Sequence, residues 1–187
     1  MRETISLPFL LVAMLALPLS LMSGCANTKG QTESRTPGNF IDDEAIETLV
    51  IRQIRKSDPG LKKAHLSAVS YNGIVLLLGQ VDNEPLKRKA LEAATNIRKA
   101  RTIHNEIEIS GPISRVARSN DAWLTSKVKS RLIARRDIRG SRIKVVTENS
   151  VVYLMGLLTR DHAQKAVEVA QKVFGVQKIV KVFEYID

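Results

Sequence analysis

A single cysteine, Cys25, in 187 residues excludes an internal disulfide, so the fold stands without covalent staples. Aromatic residues make up only 4% of the chain, and the core must therefore be aliphatic, built from Val, Ile, Leu and Ala. The three histidines, His65, His104 and His162, are isolated from one another and from any Ser or Cys nucleophile. Asp82 with Glu84, and Asp137, read as turn and cap residues rather than as an acid/base pair. No metal-ligand spacing occurs. These gaps argue against an enzyme, a metal site, a cofactor and a small-molecule substrate. The G-x-x-G loop of a KH domain and RNP-like aromatics on strands are missing too, which leaves nucleic-acid binding with little beyond charge to support it.

Charge is what the chain has in quantity, and it is unevenly placed. The net charge is +10, yet residues 42–111 carry 11 basic and 10 acidic side chains, whereas residues 112–187 carry 15 and 7. The second half holds the field. Such a field draws phosphates, whether of a nucleic-acid backbone or of anionic lipid headgroups. With 44% hydrophobic and 26% charged residues the composition is globular, with room for one ordinary domain or two small ones.

Residues 5–22 are an apolar run containing Pro8 and Pro18, preceded by Arg2, which reads as an export signal. A membrane-spanning helix is the alternative, since about 18 residues approach the minimum span. Met22-Ser23-Gly24-Cys25 resembles the lipobox of bacterial lipoproteins. The resemblance implies a signal peptide over residues 1–24 and acylation of Cys25. With Ala26 next to the cysteine, it also implies the inner leaflet of the outer membrane, facing the periplasm. Residues 25–41 are then an acylated terminus and flexible tether. Its reach as a coil is roughly 20 to 25 Å, enough to let the downstream chain touch the anchoring membrane.

Beyond the tether the sequence repeats at a spacing of about 77 residues: Tyr71-Asn-Gly-Ile-Val-Leu-Leu-Leu-Gly79 and Glu148-Asn-Ser-Val-Val-Tyr-Leu-Met-Gly156. In each copy an Asn-Gly or Asn-Ser turn joins two β-rich runs, residues 64–70 or 142–147 before it and the apolar run after it. Helical patterns over 43–56 and 121–136 precede the hairpins, and others over 84–98 and 161–174 come after them. Final strands are expected over 102–109 and 179–186. The unit is helix-strand-strand-helix-strand. It predicts an α+β fold of two tandem domains, residues 42–111 and 119–187, each a three-stranded sheet packed on two helices. Gly79 and Gly156 are expected where a buried strand turns into the second helix.

Residues 121–136 hold the only tryptophan and five Lys and Arg residues. On a helix, Leu124, Val128 and Leu132 form the seam that packs on a core, and Trp123 projects roughly 140° from that seam, beside Lys127, Ser130 and Ala134. An amphipathic ring flanked by cations suits the boundary between water and lipid headgroups. Packing of Trp123 under a loop or the other half of the chain is the alternative.

The duplicated unit resembles the BON domain, through Gly175-Val176-Gln-Lys-Ile179 and its first-copy counterpart Lys99-Ala100-Arg-Thr-Ile103. The whole chain resembles dual-BON-domain outer-membrane lipoproteins, most densely in Ser119-Asn120-Asp121-Ala-Trp123-Leu-Thr-Ser-Lys127-Val128, Thr147-Glu148-Asn149 and Leu154-Met155-Gly156-Leu157. That resemblance implies a non-enzymatic protein that binds phosphatidylglycerol and cardiolipin through the first helix of the second domain. It further implies enrichment at the division site, support of outer-membrane integrity and contact with the β-barrel assembly machinery. The expected lipid-binding residues are Trp123, Lys127, Lys129, Ser130, Arg131, Ala134 and Arg135. Trp123 aligns with Ala45, Lys127 with Leu49 and Lys129 with Ile51, so the first helix, opening on Asp42, Asp43 and Glu44 with no exposed aromatic, is expected to avoid anionic surfaces. Residues 115–144 hold 10 basic and 2 acidic side chains; a merely solvated face is the competing account of them. Two other readings stay open: a periplasmic adaptor of the assembly machinery without lipid recognition, and a basic nucleic-acid-binding module, which export would deprive of targets.

Overall fold

The computed structural model describes residues 37–186. The export signal, Cys25 and residues 26–36 of the tether lie outside the described residues. In chain order the elements are α1 (Pro37–Ser57), α2 (Pro59–Lys63), β1 (Leu66–Tyr71), β2 (Ile74–Val81), α3 (Glu84–Thr95), β3 (Thr102–Asn105) and β4 (Glu108–Ile109). The second half comprises α4 (Arg115–Ala134), a 3₁₀ turn at Gly140–Arg142, β5 (Lys144–Glu148), β6 (Val151–Leu158), α5 (Arg160–Gln171) and β7 (Lys178–Tyr185).

Two hairpin turns set the register. Asn72 and Gly73 have φ of 53° and 75°, and Asn149 and Ser150 have 50° and 63°. Positive φ at both central residues matches the right-handed twist of the flanking strands, and Asn enters that region more readily than other non-glycine residues. Each turn is held from below by a buried aspartate. Asp43 accepts the N–H groups of Asn72 at 2.8 Å and Gly73 at 2.9 Å and the Ser70 hydroxyl at 2.7 Å. Asp121 accepts the N–H groups of Asn149 and Ser150, both at 2.8 Å. The two carboxylates are 2% and 5% exposed, and donors on the turn are what make burying them tolerable.

β1 and β2 pair antiparallel, and β3 and β4 run parallel to β2; likewise β5 and β6 are antiparallel and β7 is parallel to β6. Along β2, Val75 and Leu77 face the helices, joining Ile46, Val50 and Ile54 of α1 and Ala90, Ala93 and Ala94 of α3. Val152 and Leu154 do the same beneath Leu124, Val128 and Leu132 of α4 and Ala163, Ala166 and Ala170 of α5. The alternate residues turn the other way. Tyr71, Ile74, Leu76 and Leu78 of one sheet meet Tyr153, Met155 and Val182 of the other. Sheets covered on both faces explain why β2 is buried at every position and reads as an unbroken apolar run. Burial at this seam also raises the Tyr153 pKa above its ordinary value.

Polar contacts rim the seam. The Tyr71 hydroxyl donates to the Arg142 carbonyl at 2.9 Å, Gln80 donates to Glu148 at 2.7 Å, and Lys144 reaches Glu47 at 2.8 Å. Glu184 on β7 accepts the Asn72 amide at 2.6 Å and the Arg101 guanidinium at 2.5 Å. Arg101 chiefly, and Asn72 after it, hold the Glu184 carboxyl below its usual value.

Several expectations are corrected. α1 begins at Pro37, so residues 37–41 of the expected tether are helical and Asp43 lies inside the helix as a turn anchor rather than at its start. α4 begins six residues before Asp121, because Ser114 caps it by accepting the Ala117 N–H at 3.1 Å. The last strand of the first domain breaks into β3 and β4 around the buried Ile107. The glycines do not end their strands, which continue to Val81 and Leu158. Gly79 has φ of 119°, and a Cβ there would sit 1.9 Å from the His65 carbonyl oxygen. Gly156 is under no such constraint, its nearest contact being a Leu158 side-chain atom at 3.4 Å. Lys99 replaces the glycine of the second copy without positive φ. Both passages still return beside the hairpin, Arg101 N–H to the Gly73 carbonyl at 2.8 Å and Gln177 N–H to the Ser150 carbonyl at 3.0 Å.

Candidate membrane interface

α4 is fixed to its domain by Leu124, Val128 and Leu132, all fully buried, each contributing about 1.5–3 kcal/mol of burial. Thr125 seals one flank by a hydroxyl contact to Thr147 at 2.8 Å. With that seam inward, Trp123 points outward and is 51% exposed. The Lys127 ammonium lies over its ring, 4.1 Å from the centroid. Such a cation–π contact orders both side chains on the surface. Ser130 and Ala134 are exposed on the same side.

The remaining expected lipid residues part company with this group. Lys129 is on the other flank, roughly 120° round the helix from Trp123. Its ammonium donates to the carbonyls of Gly140 at 3.1 Å, Ser141 at 3.0 Å and Ile143 at 2.5 Å. Burial lowers its pKa from the ordinary lysine value. A lysine committed to three carbonyls pins the loop after α4, so the ammonium of Lys129 is engaged within the domain rather than held beside Trp123. Arg131 is exposed but donates to the Lys172 carbonyl at 2.7 Å, tying α4 to the end of α5. Arg135 lies just beyond the helix and grips Asp137 through two contacts of 2.7 and 2.5 Å. That guanidinium holds the Asp137 carboxyl at about 2.

Sequence reasoning missed part of the exposed apolar surface. Phe174 is 87% exposed, Val116 80% and Ile133 55%. Val116 shares the Trp123 side of α4 by helical spacing, and Ile133 lies about 80° round from it. Phe174 lies past the end of α5, and its neighbour Gly175 lies against Leu124, where a Cβ would approach to 3.0 Å. Periodicity hides Phe174, because Val167 and Ala170, seven and four residues earlier, are both core residues. The chain leaves the helix after Gln171, and that departure turns the ring outward. The first domain is also less plain than expected: Phe40 lies on α1 and is 50% exposed. The contrast between the copies therefore rests on the pairing of Trp123 with Lys127, where the first helix has Ala45 and Leu49, and not on the absence of an aromatic. Among the described residues no helix is long and apolar enough to cross a membrane, and no group of His, Cys, Asp and Glu is placed to hold a metal ion.

Residues 42–111 and 120–187 each match the BON domain family. The chain is 38% identical to the outer membrane lipoprotein DolP of Haemophilus influenzae, over 88% of this chain and 85% of that one. It is 35% identical to a 21 kDa hemolysin of Actinobacillus pleuropneumoniae, over 82% and 79%. It is 24% identical to the osmotically-inducible protein Y of Escherichia coli, over 91% of each. With two matched copies that together span most of its length, and relatives similar to it nearly end to end, the chain belongs to the BON domain family as a two-domain member.

Proposed function

We propose that this protein is an outer-membrane lipoprotein, held through Cys25 in the inner leaflet and facing the periplasm, whose second BON domain lays α4 on anionic phospholipid. The observation that carries the reading is the half-exposed Trp123 with the Lys127 ammonium at 4.1 Å, on a helix whose counterpart has Ala45 and Leu49 at those places. Exposed Phe174 and Val116 widen the apolar surface available to the headgroup boundary. Cations near an anionic bilayer attract by about 1 kcal/mol each, and the indole fixes depth. Phosphatidylglycerol and cardiolipin supply the matching charge. Binding there would place the protein to support membrane integrity and to accumulate where such lipids do, the division site included; contact with the β-barrel assembly machinery fits the same address.

Vesicle flotation tests it. Binding should require phosphatidylglycerol or cardiolipin and fall with salt. Half of an indole surface, roughly 100 Å², represents about 2.5 kcal/mol, so Trp123→Ala should weaken binding roughly 70-fold. Equal binding to neutral phosphatidylcholine vesicles, or full binding by the variant, contradicts the reading. In cells, Cys25→Ser should leave an uncleaved, mislocalised precursor, and recovery of the variant in the outer membrane would remove the anchor.

A further inference from the structure

The two copies differ at the sheet edge beside their first helix, and the difference is chemical. In a two-residue hairpin the residues flanking the turn exchange hydrogen bonds, and alternate positions turn their N–H and C=O groups away from the partner strand. The outward positions are Thr147, Val145 and Ile143 in the second copy and Ser70, Ala68 and Leu66 in the first. The second edge is blocked at its far end, where Lys129 occupies the Ile143 carbonyl, and a side-chain hydroxyl bond between Thr125 and Thr147 ties α4 to the strand. On the first edge Ser70 is likewise taken, its N–H by Glu47 at 2.8 Å and its carbonyl by Lys144 at 3.3 Å. Ile51 stands where Lys129 stands in the second copy and has no donor to offer Leu66.

Ala68 and Leu66 open instead into a groove of about 1020 Å³ between β1, α1 and α2. Its floor is apolar, with Ile51, Leu66 and Ala68, and its walls carry Arg52, Arg55, Lys56 and Lys62. The acids at its margins are engaged elsewhere, Glu47 with Lys144 and Asp58 with Lys89. The four wall cations are exposed and make no ion pair among the described residues. We propose that this groove binds an extended acidic segment of a partner protein, which adds to β1 as a short strand along Leu66–Ala68 and sets its carboxylates against the wall cations. Main-chain bonds to the free edge supply affinity, and the cations select sequence. Ser70 marks the end of the available edge.

The probe is a fluorescent peptide alternating Glu and Val, about eight residues long, with a Lys–Val peptide as its control, titrated into the full chain in detergent by anisotropy. The Glu–Val peptide should bind and weaken with salt, and the Lys–Val peptide should not bind. Paired reversal, Arg52→Glu with Arg55→Glu, should weaken binding at least about tenfold. Ile51→Lys copies the closure of the second domain and should do the same, as should Ala68→Pro, which removes an outward N–H that no strand uses. Circular dichroism melting identifies any variant that fails to fold, and Ile51→Lys, which copies a pairing the second domain already holds, is the arbiter. Vesicle flotation of Ala68→Pro should be unchanged, which separates this groove from the lipid-binding face. No binding at millimolar peptide, equal binding of the Lys–Val peptide, or full binding by Ile51→Lys in a folded protein overturns the proposal.

Discussion

Lys127 and Lys129 are two residues apart, both cationic and both on α4, yet they should fail in opposite ways when neutralised. Lys129→Met keeps the aliphatic stem and removes the ammonium that serves the Gly140, Ser141 and Ile143 carbonyls. A hydrogen bond to a charged group contributes about 1.5–3 kcal/mol, and three on one ammonium do not add. Water can replace the contact at exposed Ser141, and the cost of burying the charge is recovered. The net loss should be about 2 kcal/mol, a fall in Tm of about 4–8 °C for a unit of this size. Lys127→Met forfeits a cation–π contact of about 0.5–1 kcal/mol at an exposed site. It also loses about 1 kcal/mol of headgroup attraction. Vesicle affinity should drop about fivefold while stability changes by less than about 1 kcal/mol. Urea unfolding and vesicle flotation on the same preparations separate the two. If Lys129→Met unfolds like the parent chain and loses lipid as Lys127→Met does, the assignment of Lys129 to the loop is wrong.

Other consequences can be checked with the same tools. Asp43→Asn and Asp121→Asn each turn an amide toward two backbone N–H groups, and each should cost about 2–4 kcal/mol in urea unfolding; equal stability to the parent would show that the turns hold themselves. Gly79→Ala drives a Cβ to within 1.9 Å of the His65 carbonyl oxygen at positive φ and should fold poorly or not at all, whereas Gly156→Ala should stay within about 1 kcal/mol of the parent. Glu184 has a folded pKa below its unfolded value. Its contribution is therefore complete above the unfolded value of about 4.3 and is lost as pH falls through the lowered one. The stability difference between the parent and Glu184→Gln should be constant near neutrality and shrink in acid; a difference that grows in acid contradicts the Arg101 pairing.

What the sequence determined alone is the repeated unit, its hairpins, its helices and the seam Leu124, Val128 and Leu132, because each depends on local periodicity or on turn chemistry within a few residues. Trp123 was legible as an outward residue for the same reason. Periodicity states only which side of a helix is apolar, and it cannot say what a polar side chain reaches. The carbonyls that claim Lys129 lie 11 to 14 residues away in the chain, and the turns that claim Asp43 and Asp121 lie 28 to 30 away. Their fate was therefore decided by the fold. Tertiary structure likewise decided that the sheets meet back to back through Tyr71, Leu76, Tyr153 and Met155. A strand buried on both faces shows an unbroken apolar run that names no partner for either face, and only the assembled sheets assign one face to the helices and the other to the second domain.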